Sequence, residues 1–220
     1  MSTGTAGTRI IGTRAIGTRA IGTRAIGTKG VPRAEREQQI VAEAIAEFAA
    51  RGYAGASIVD IARRAGISKP LIYQYFGSKD GLYLAGLHAV SGGLLDRLEQ
   101  AELAVDDSVA SRIHPLRAVF EALEPQRDAW RMLFDPSMPP TGPIAEAAAE
   151  YRARTAAIAA SGSARFLAAR GIDSEADASA LSAVWMGVVS SLVEWWLAHP
   201  EESAAGMIAR CERLLAAVLG

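Results

Sequence analysis

Apolar residues recur at helical spacing along most of the chain from residue 33 onward, punctuated by glycine, proline and short polar clusters. Ile40, Val41, Ala44, Ile45 and Phe48 form one stripe, which predicts a first helix from about Arg33 to Arg51 closed by Gly52. Ser57 opens the next segment. Its hydroxyl is placed to accept a backbone N–H in a Ser57-x-x-Asp60 capping arrangement, and Ile58, Ile61, Ala62 and Ala65 mark the buried face of a short helix near 57–65. Gly66 suits the left-handed dihedrals that end a helix sharply. Ser68 is placed to cap a further helix near 68–75, and Pro70 falls in its first turn, where a missing N–H removes no intrahelical bond. In that helix Leu71, Ile72 and Phe76 are apolar anchors, while Lys69, Tyr73, Gln74 and Tyr75 keep polar ends. Two short helices joined by a tight turn read as a helix-turn-helix, a unit that can lay one helix into the major groove of DNA, about 12 Å wide.

The rest of the pattern is also helical. A fourth helix begins near Ser78 and carries Leu82, Leu84, Leu87, Leu94, Leu95 and Leu98, until Asp106, Asp107 and Ser108 interrupt it. Shorter helices are expected at about 113–124 and 126–134, separated near Pro125, and four prolines in the eight residues from Pro136 to Pro143 make a loop. Long helices near 143–170, 174–198 and 202–219 follow, separated by Gly171 and Pro200. The fold class is therefore all-α. A three-helix DNA-binding domain is expected over 33–80 and a larger helical effector-binding and dimerisation domain over 81–220.

The densest signal runs from about Ala46 to Leu82: Gly52-Tyr53, Ser57, Asp60-Ile61-Ala62, Ala65-Gly66-Ile67-Ser68, Ile72-Tyr73, Tyr75-Phe76, Lys79 and Leu82. At these residues the chain resembles the TetR family of transcriptional repressors. The resemblance implies that the second helix of the motif reads bases through Lys69, Pro70, Leu71 and Gln74. It also implies phosphate contacts from Ser57, Ser68, Tyr73, Tyr75 and Lys79. The chain departs from the family pattern at Pro70, where glycine is frequent, and at Tyr75, where histidine is frequent.

Charge sharpens this picture. Residues 1–33 hold six basic side chains and no acid, residues 34–80 hold six of each, and residues 81–220 hold 11 basic against 18 acidic. The cationic end suits DNA and the anionic body does not. The N-terminus repeats Ile-Gly-Thr-Arg-Ala from Ile11, Ile16 and Ile21, with a five-residue period that matches no packed helix, so residues 1–32 are expected to be a disordered arm. Two readings of the arm stand. It is an expanded tandem repeat without a role, or its Arg9, Arg14, Arg19, Arg24 and Lys29 track DNA beside the reading head, as N-terminal arms do in a minor groove.

In the larger domain, Leu181, Val184, Val188, Ser191 and Trp195 step by three and four residues, as do Met207, Cys211, Leu214 and Val218. These two faces are expected to pair with their copies in a homodimer, whose twofold axis would set the reading helices about 34–36 Å apart on a palindromic, double-stranded DNA operator. Phe120, Trp130, Phe134, Tyr151, Phe166 and Trp185, with Met132, Met138 and Met186, offer large adaptable surfaces for a small, largely apolar effector; Arg152, Arg154 and Arg165 leave room for an anionic one.

Other classes fare worse. The single cysteine, Cys211, rules out an intrachain disulfide, and with three scattered histidines, His88, His114 and His199, no metal site or cofactor is expected. No nucleophile with an activating base and no glycine-rich phosphate loop is visible, so the chain is not expected to be an enzyme. The most apolar stretch, Ala178 to Val193, is 16 residues long and contains four serines; it reads as a buried helix rather than a membrane span, in a cytoplasmic protein. A helical scaffold without DNA affinity is the alternative, but it leaves the turn glycine, the polar recognition face and the basic arm unexplained together.

Overall fold

In a computed structural model of the chain, the described residues are 32–106, 108 and 110–219; the repeat arm, with Arg9, Arg14, Arg19, Arg24 and Lys29, lies outside them. Helices follow in the order α1 (Arg33–Gly55), α2 (Ile58–Arg64), α3 (Lys69–Phe76), α4 (Lys79–Leu103), α5 (Ile113–Leu123), α6 (Trp130–Leu133), α7 (Pro143–Ala168), α8 (Glu175–Ala198) and α9 (Ala204–Leu219). Among the described residues there is no strand.

The first three helices enclose Ile40, Ala44, Phe48, Ile61 and Ile72, all buried. Gly52, at φ +68°, breaks α1 where the sequence places its end, and one further turn, Tyr53 to Gly55, continues beyond the kink. Gly66 (φ +66°) and Gly77 (φ +73°) supply the other sharp reversals, on either side of α3. Ile72 alone of the α3 anchors is fully enclosed; Leu71 and Phe76 are half-buried.

α4 belongs to both halves of the molecule. Its N-terminal Leu82 and Tyr83 are buried in the reading head, with the Tyr83 ring edge-on to Phe48 at 4.8 Å, while Leu87, Leu94, Leu95 and Leu98 enter the body. One continuous apolar cluster therefore runs from Ile40 to Cys211. A shift of α4 is felt at both ends, because close-packed interiors transmit displacement.

Two expectations need correction. The segment after α5 is not a helix over 126–134: Glu124–Ala129 forms a 3-10 stretch with Gln126 extended, and only Trp130–Leu133 is α-helical. α8 is not a buried helix. It is long and apolar enough to cross a bilayer, yet only 11% of its most apolar window is buried. It lies on α7, burying Ala178, Ser182, Val193 and Trp196 and leaving most of its apolar surface open.

Candidate nucleic-acid interface and effector cavity

The α2–turn–α3 unit is held by two different devices. Asp60 donates its N–H to the Ser57 hydroxyl at 3.2 Å, the expected N-cap, and Arg63 and Ser57 hold the Asp60 carboxyl below the usual carboxylate range. Beneath it lies Glu47, only 2% exposed, which accepts the Ser57 N–H at 3.2 Å and pairs with Arg51 and Arg64, each at 3.2 Å. Glu47 was missed as a functional residue. Its signal is a charge three positions after Ala44 on the apolar stripe of α1.

Ser68 has the extended dihedrals of an N-cap but makes no side-chain capping bond, contrary to expectation; its backbone carbonyl, not its hydroxyl, receives the Leu71 N–H at 3.0 Å. The exposed Ser68 hydroxyl is thereby available to a phosphate. The outer surface of α3 presents Lys69, Pro70, Tyr73 and Gln74, with Leu71 and Tyr75 half-covered, and the helix contains no acid. The Lys69 ammonium sits 5.6 Å from the Tyr73 ring centre, and the Arg33 guanidinium 5.1 Å from that of Tyr75. The two phenols thus stand next to cations at the edges of the helix, where a groove-bound helix meets the backbone.

Lys79 lies behind this surface. Its ammonium donates to the carbonyls of Ala56 (2.9 Å) and Ala54 (3.4 Å) and lies 5.0 Å from the Tyr53 ring centre. Two of its three N–H groups close the C-terminal carbonyls of α1, which leaves one for a phosphate.

The reading head is tied to the body through Asp135. This buried carboxylate, in the loop after α6, accepts the Tyr53 N–H, the Ser137 N–H (2.8 Å) and the Ser137 hydroxyl (2.7 Å), with the Tyr83 hydroxyl at 3.2 Å. Ser137 Oγ in turn accepts the Ala54 N–H at 3.1 Å. Burial and the Asp135 charge push the Tyr83 phenol above its ordinary pKa. The Tyr53 hydroxyl donates to Asp80 at the start of α4, which raises the Tyr53 pKa to about 12.

A narrow cavity lies in the body between α4, α5, α7 and α8, enclosing about 80 Å³. Trp130, Tyr151 and Trp185 line it as expected, with Met186. Phe120 does not: it is core, edge-on to Trp196 at 5.4 Å. Phe166 lies outside it too, covered by Arg112 and Arg170. Phe134 faces a separate open cleft beside Gly52 and Asp135, its ring tilted against that of Trp130 at 4.9 Å, and Trp130 lines both spaces. Of the arginines considered for an anion, Arg154 is paired with Glu99 and Arg165 with Glu102, both at 2.7 Å. The arginine that reaches the cavity is Arg112.

Residues 40–85 match the family model described as bacterial regulatory proteins, tetR family. The HTH-type transcriptional activator FasR of Mycolicibacterium smegmatis is 36% identical over 105 residues, 48% of each chain, so the match spans about half the length of that relative. The fold as a whole resembles a TetR-like regulator from Rhodococcus sp. RHA1, with TM-score 0.67 and 23% identity over 86% of this chain and 98% of that one. Residues 40–85 thus carry the helix-turn-helix domain of the tetR family. A similar fold is found in the regulator FadR from Bacillus subtilis in complex with stearoyl-CoA, with TM-score 0.64 and 17% identity, covering 81% of this chain and 96% of that one.

The two faces expected at a dimer contact part company. On α8, Val184 is 59% exposed, Val188 and Trp195 are also exposed, and Leu181 is half-buried; on α9, Leu214 is 49% exposed. Met207 and Cys211 are instead fully internal, because α9 turns that face onto α5. Burial also raises the Cys211 thiol pKa. The side chain of Val218 lies outside the described residues.

Proposed function

We propose that this chain is a homodimeric transcriptional repressor that binds a palindromic double-stranded operator through α3 and is released by a small, largely apolar effector. The observation that carries the DNA reading is the outer surface of α3, where Lys69, Pro70, Tyr73 and Gln74 stand on a helix without an acid. Lys69, Pro70, Leu71 and Gln74 address base edges; Ser57, Ser68, Tyr73, Tyr75 and Lys79 address phosphates. The arm residues Arg9, Arg14, Arg19, Arg24 and Lys29 add sequence-independent affinity, each neutralised phosphate contributing about 0.9 to the salt slope.

The uncovered apolar surface of α8, with Leu214 of α9, is the dimer face rather than a membrane span: a contiguous apolar patch on a DNA-binding protein of the bacterial cytoplasm is best covered by its own copy. The apolar lining of the cavity and the acyl-bearing ligand of FadR support an apolar effector. A ligand seated there lies against α4, α7 and α8, and Trp130, which lines the cavity and starts α6, is placed to pass a displacement on to the Asp135 loop. An electrophoretic mobility assay with fragments of the source genome tests the proposal. A specific complex is expected to exceed non-specific binding by about 10³ or more. Retardation abolished equally by any competitor DNA would contradict it.

A further inference from the structure

Arg112 and Ser163 are polar side chains buried in the wall of the body cavity, each with a polar atom that has no hydrogen-bond partner, although the Arg112 guanidinium lies 5.0 Å from the Phe166 ring centre. Arg112 is 7% exposed and Ser163 2%. Arg112 Nε and Ser163 Oγ are fully enclosed with no hydrogen bond, and no ion pair within 4 Å reaches Arg112 among the described residues. The neighbouring carboxylate, Glu102, also lines the cavity but is committed to Arg165 at 2.7 Å. Burial lowers the Arg112 pKa and the Glu102 charge opposes that shift; a guanidinium nonetheless stays charged in proteins. A buried N–H and a buried hydroxyl without hydrogen-bond partners are each costly, so a bound group that accepts from both is favoured at this wall. The remaining wall is apolar and aromatic: Leu94, Trp130, Tyr151, Ile158 and Trp185.

We propose that the effector is an amphiphile with a carboxylate head, bound by Arg112 and Ser163, and a short apolar body lying against Trp130, Tyr151 and Trp185. The inference rests on the ligand-response reading above and names its ligand class. A planar carboxylate can accept two parallel N–H bonds from a guanidinium and a third from a serine hydroxyl. A neutral ester, thioester or alcohol of the same shape leaves the Arg112 charge unbalanced. The small size of the free cavity favours a compact body, aromatic or medium-chain, over a long one.

The test uses the full chain with octanoate and phenylacetate against octanol and 2-phenylethanol, read by the fluorescence of Trp130 and Trp185 in the cavity wall and by operator binding. Each acid is expected to bind more tightly than its alcohol. Arg112→Met is expected to lose roughly 10- to 100-fold in acid affinity while alcohol affinity stays within about threefold, and Ser163→Ala is expected to lose a smaller factor in the same direction. Without ligand, Arg112→Met is expected to melt no lower than the parent, because the buried Nε without a hydrogen bond is removed while an apolar side chain keeps the packing against Phe166. Equal loss of acid and alcohol, no effect of Arg112→Met on acid binding, or no acid binding to the parent protein would overturn the assignment. Alcohols that release the operator where acids do not bind would overturn only the carboxylate head. Acids that bind through Arg112 without changing operator affinity would uphold it and overturn the ligand-response reading.

Discussion

Tyr53 donates its backbone N–H to the Asp135 carboxylate, a residue 82 positions further along the chain. The bond crosses from the kink in α1, at the back of the reading head, to the loop that follows the cavity-wall helix α6. Trp130 at the start of α6 touches the cavity, Asp135 in the loop after it accepts the Tyr53 N–H while Ser137 accepts that of Ala54, and the Tyr53 hydroxyl reaches Asp80 at the start of α4. These contacts form a continuous path of side chains and backbone from the body cavity to the reading head.

Asp135→Ala is therefore expected to uncouple the two sites. Coupling between effector and operator in such systems is typically about 1–3 kcal/mol and reciprocal. In the variant the effector should still bind, and operator affinity should respond to it by much less. Operator titrations with and without saturating effector measure the change; an undiminished response would place the coupling elsewhere, α4 being the obvious route.

Glu47→Gln is expected to destabilise the reading head by about 1–3 kcal/mol, because the Ser57 N–H loses its charged acceptor and Arg51 and Arg64 lose theirs. Chemical denaturation followed by circular dichroism reads the loss. DNA affinity should fall with it, although Glu47 is buried too deeply to touch DNA.

Val184→Glu on α8 is expected to give a monomer that retains its helical content. The substitution sets a charge into the centre of the proposed twofold face, where like charges would meet across the axis. Sedimentation velocity distinguishes monomer from dimer. Met207→Ala should instead lower stability by about 2–5 kcal/mol without that change in assembly, since Met207 is internal to one chain.

The Tyr53 phenol supplies a pH signature. Its folded pKa, about 12 against an ordinary 10.0, is raised chiefly by the bond to Asp80. A raised pKa favours the protonated form in the folded state. Its contribution to stability is fully present below pH 10 and is lost as pH rises through about 12. Denaturant midpoints should therefore fall between about pH 9 and about pH 12 by more in the parent protein than in Tyr53→Phe.

Much of this was legible in the sequence, and unevenly. The caps and breakers of α1 to α3 are local: Ser57, Gly66 and Pro70 act through their own backbone and immediate neighbours, so their positions could be read directly. Contacts between distant segments could not. Asp135 and Ser137 were read only as part of a proline-rich loop, because nothing within that loop reveals that it closes on Gly52. Periodicity likewise marks an apolar face without saying what covers it. Met207 and Cys211 share the spacing of Leu214, but α5 covers the first two and not the third. The same ambiguity put Phe120 in the cavity when Trp196 encloses it. Arg112 was hidden for a different reason: at the junction of a 3-10 turn and α5 it belongs to no helical stripe.

The claim that α3 reads DNA is tested most directly by selecting bound duplexes from a random pool with the parent protein and with Gln74→Ala. The parent is expected to enrich a twofold-symmetric site whose half-site centres lie about one helical turn apart, roughly 10–10.5 bp or a multiple of it. Gln74→Ala is expected to bind the same spacing with preference relaxed at one position per half-site, worth about 1–3 kcal/mol of discrimination, because Gln74 stands on the exposed face of α3. Failure to enrich any symmetric site, or an identical base preference in both proteins, would contradict the reading.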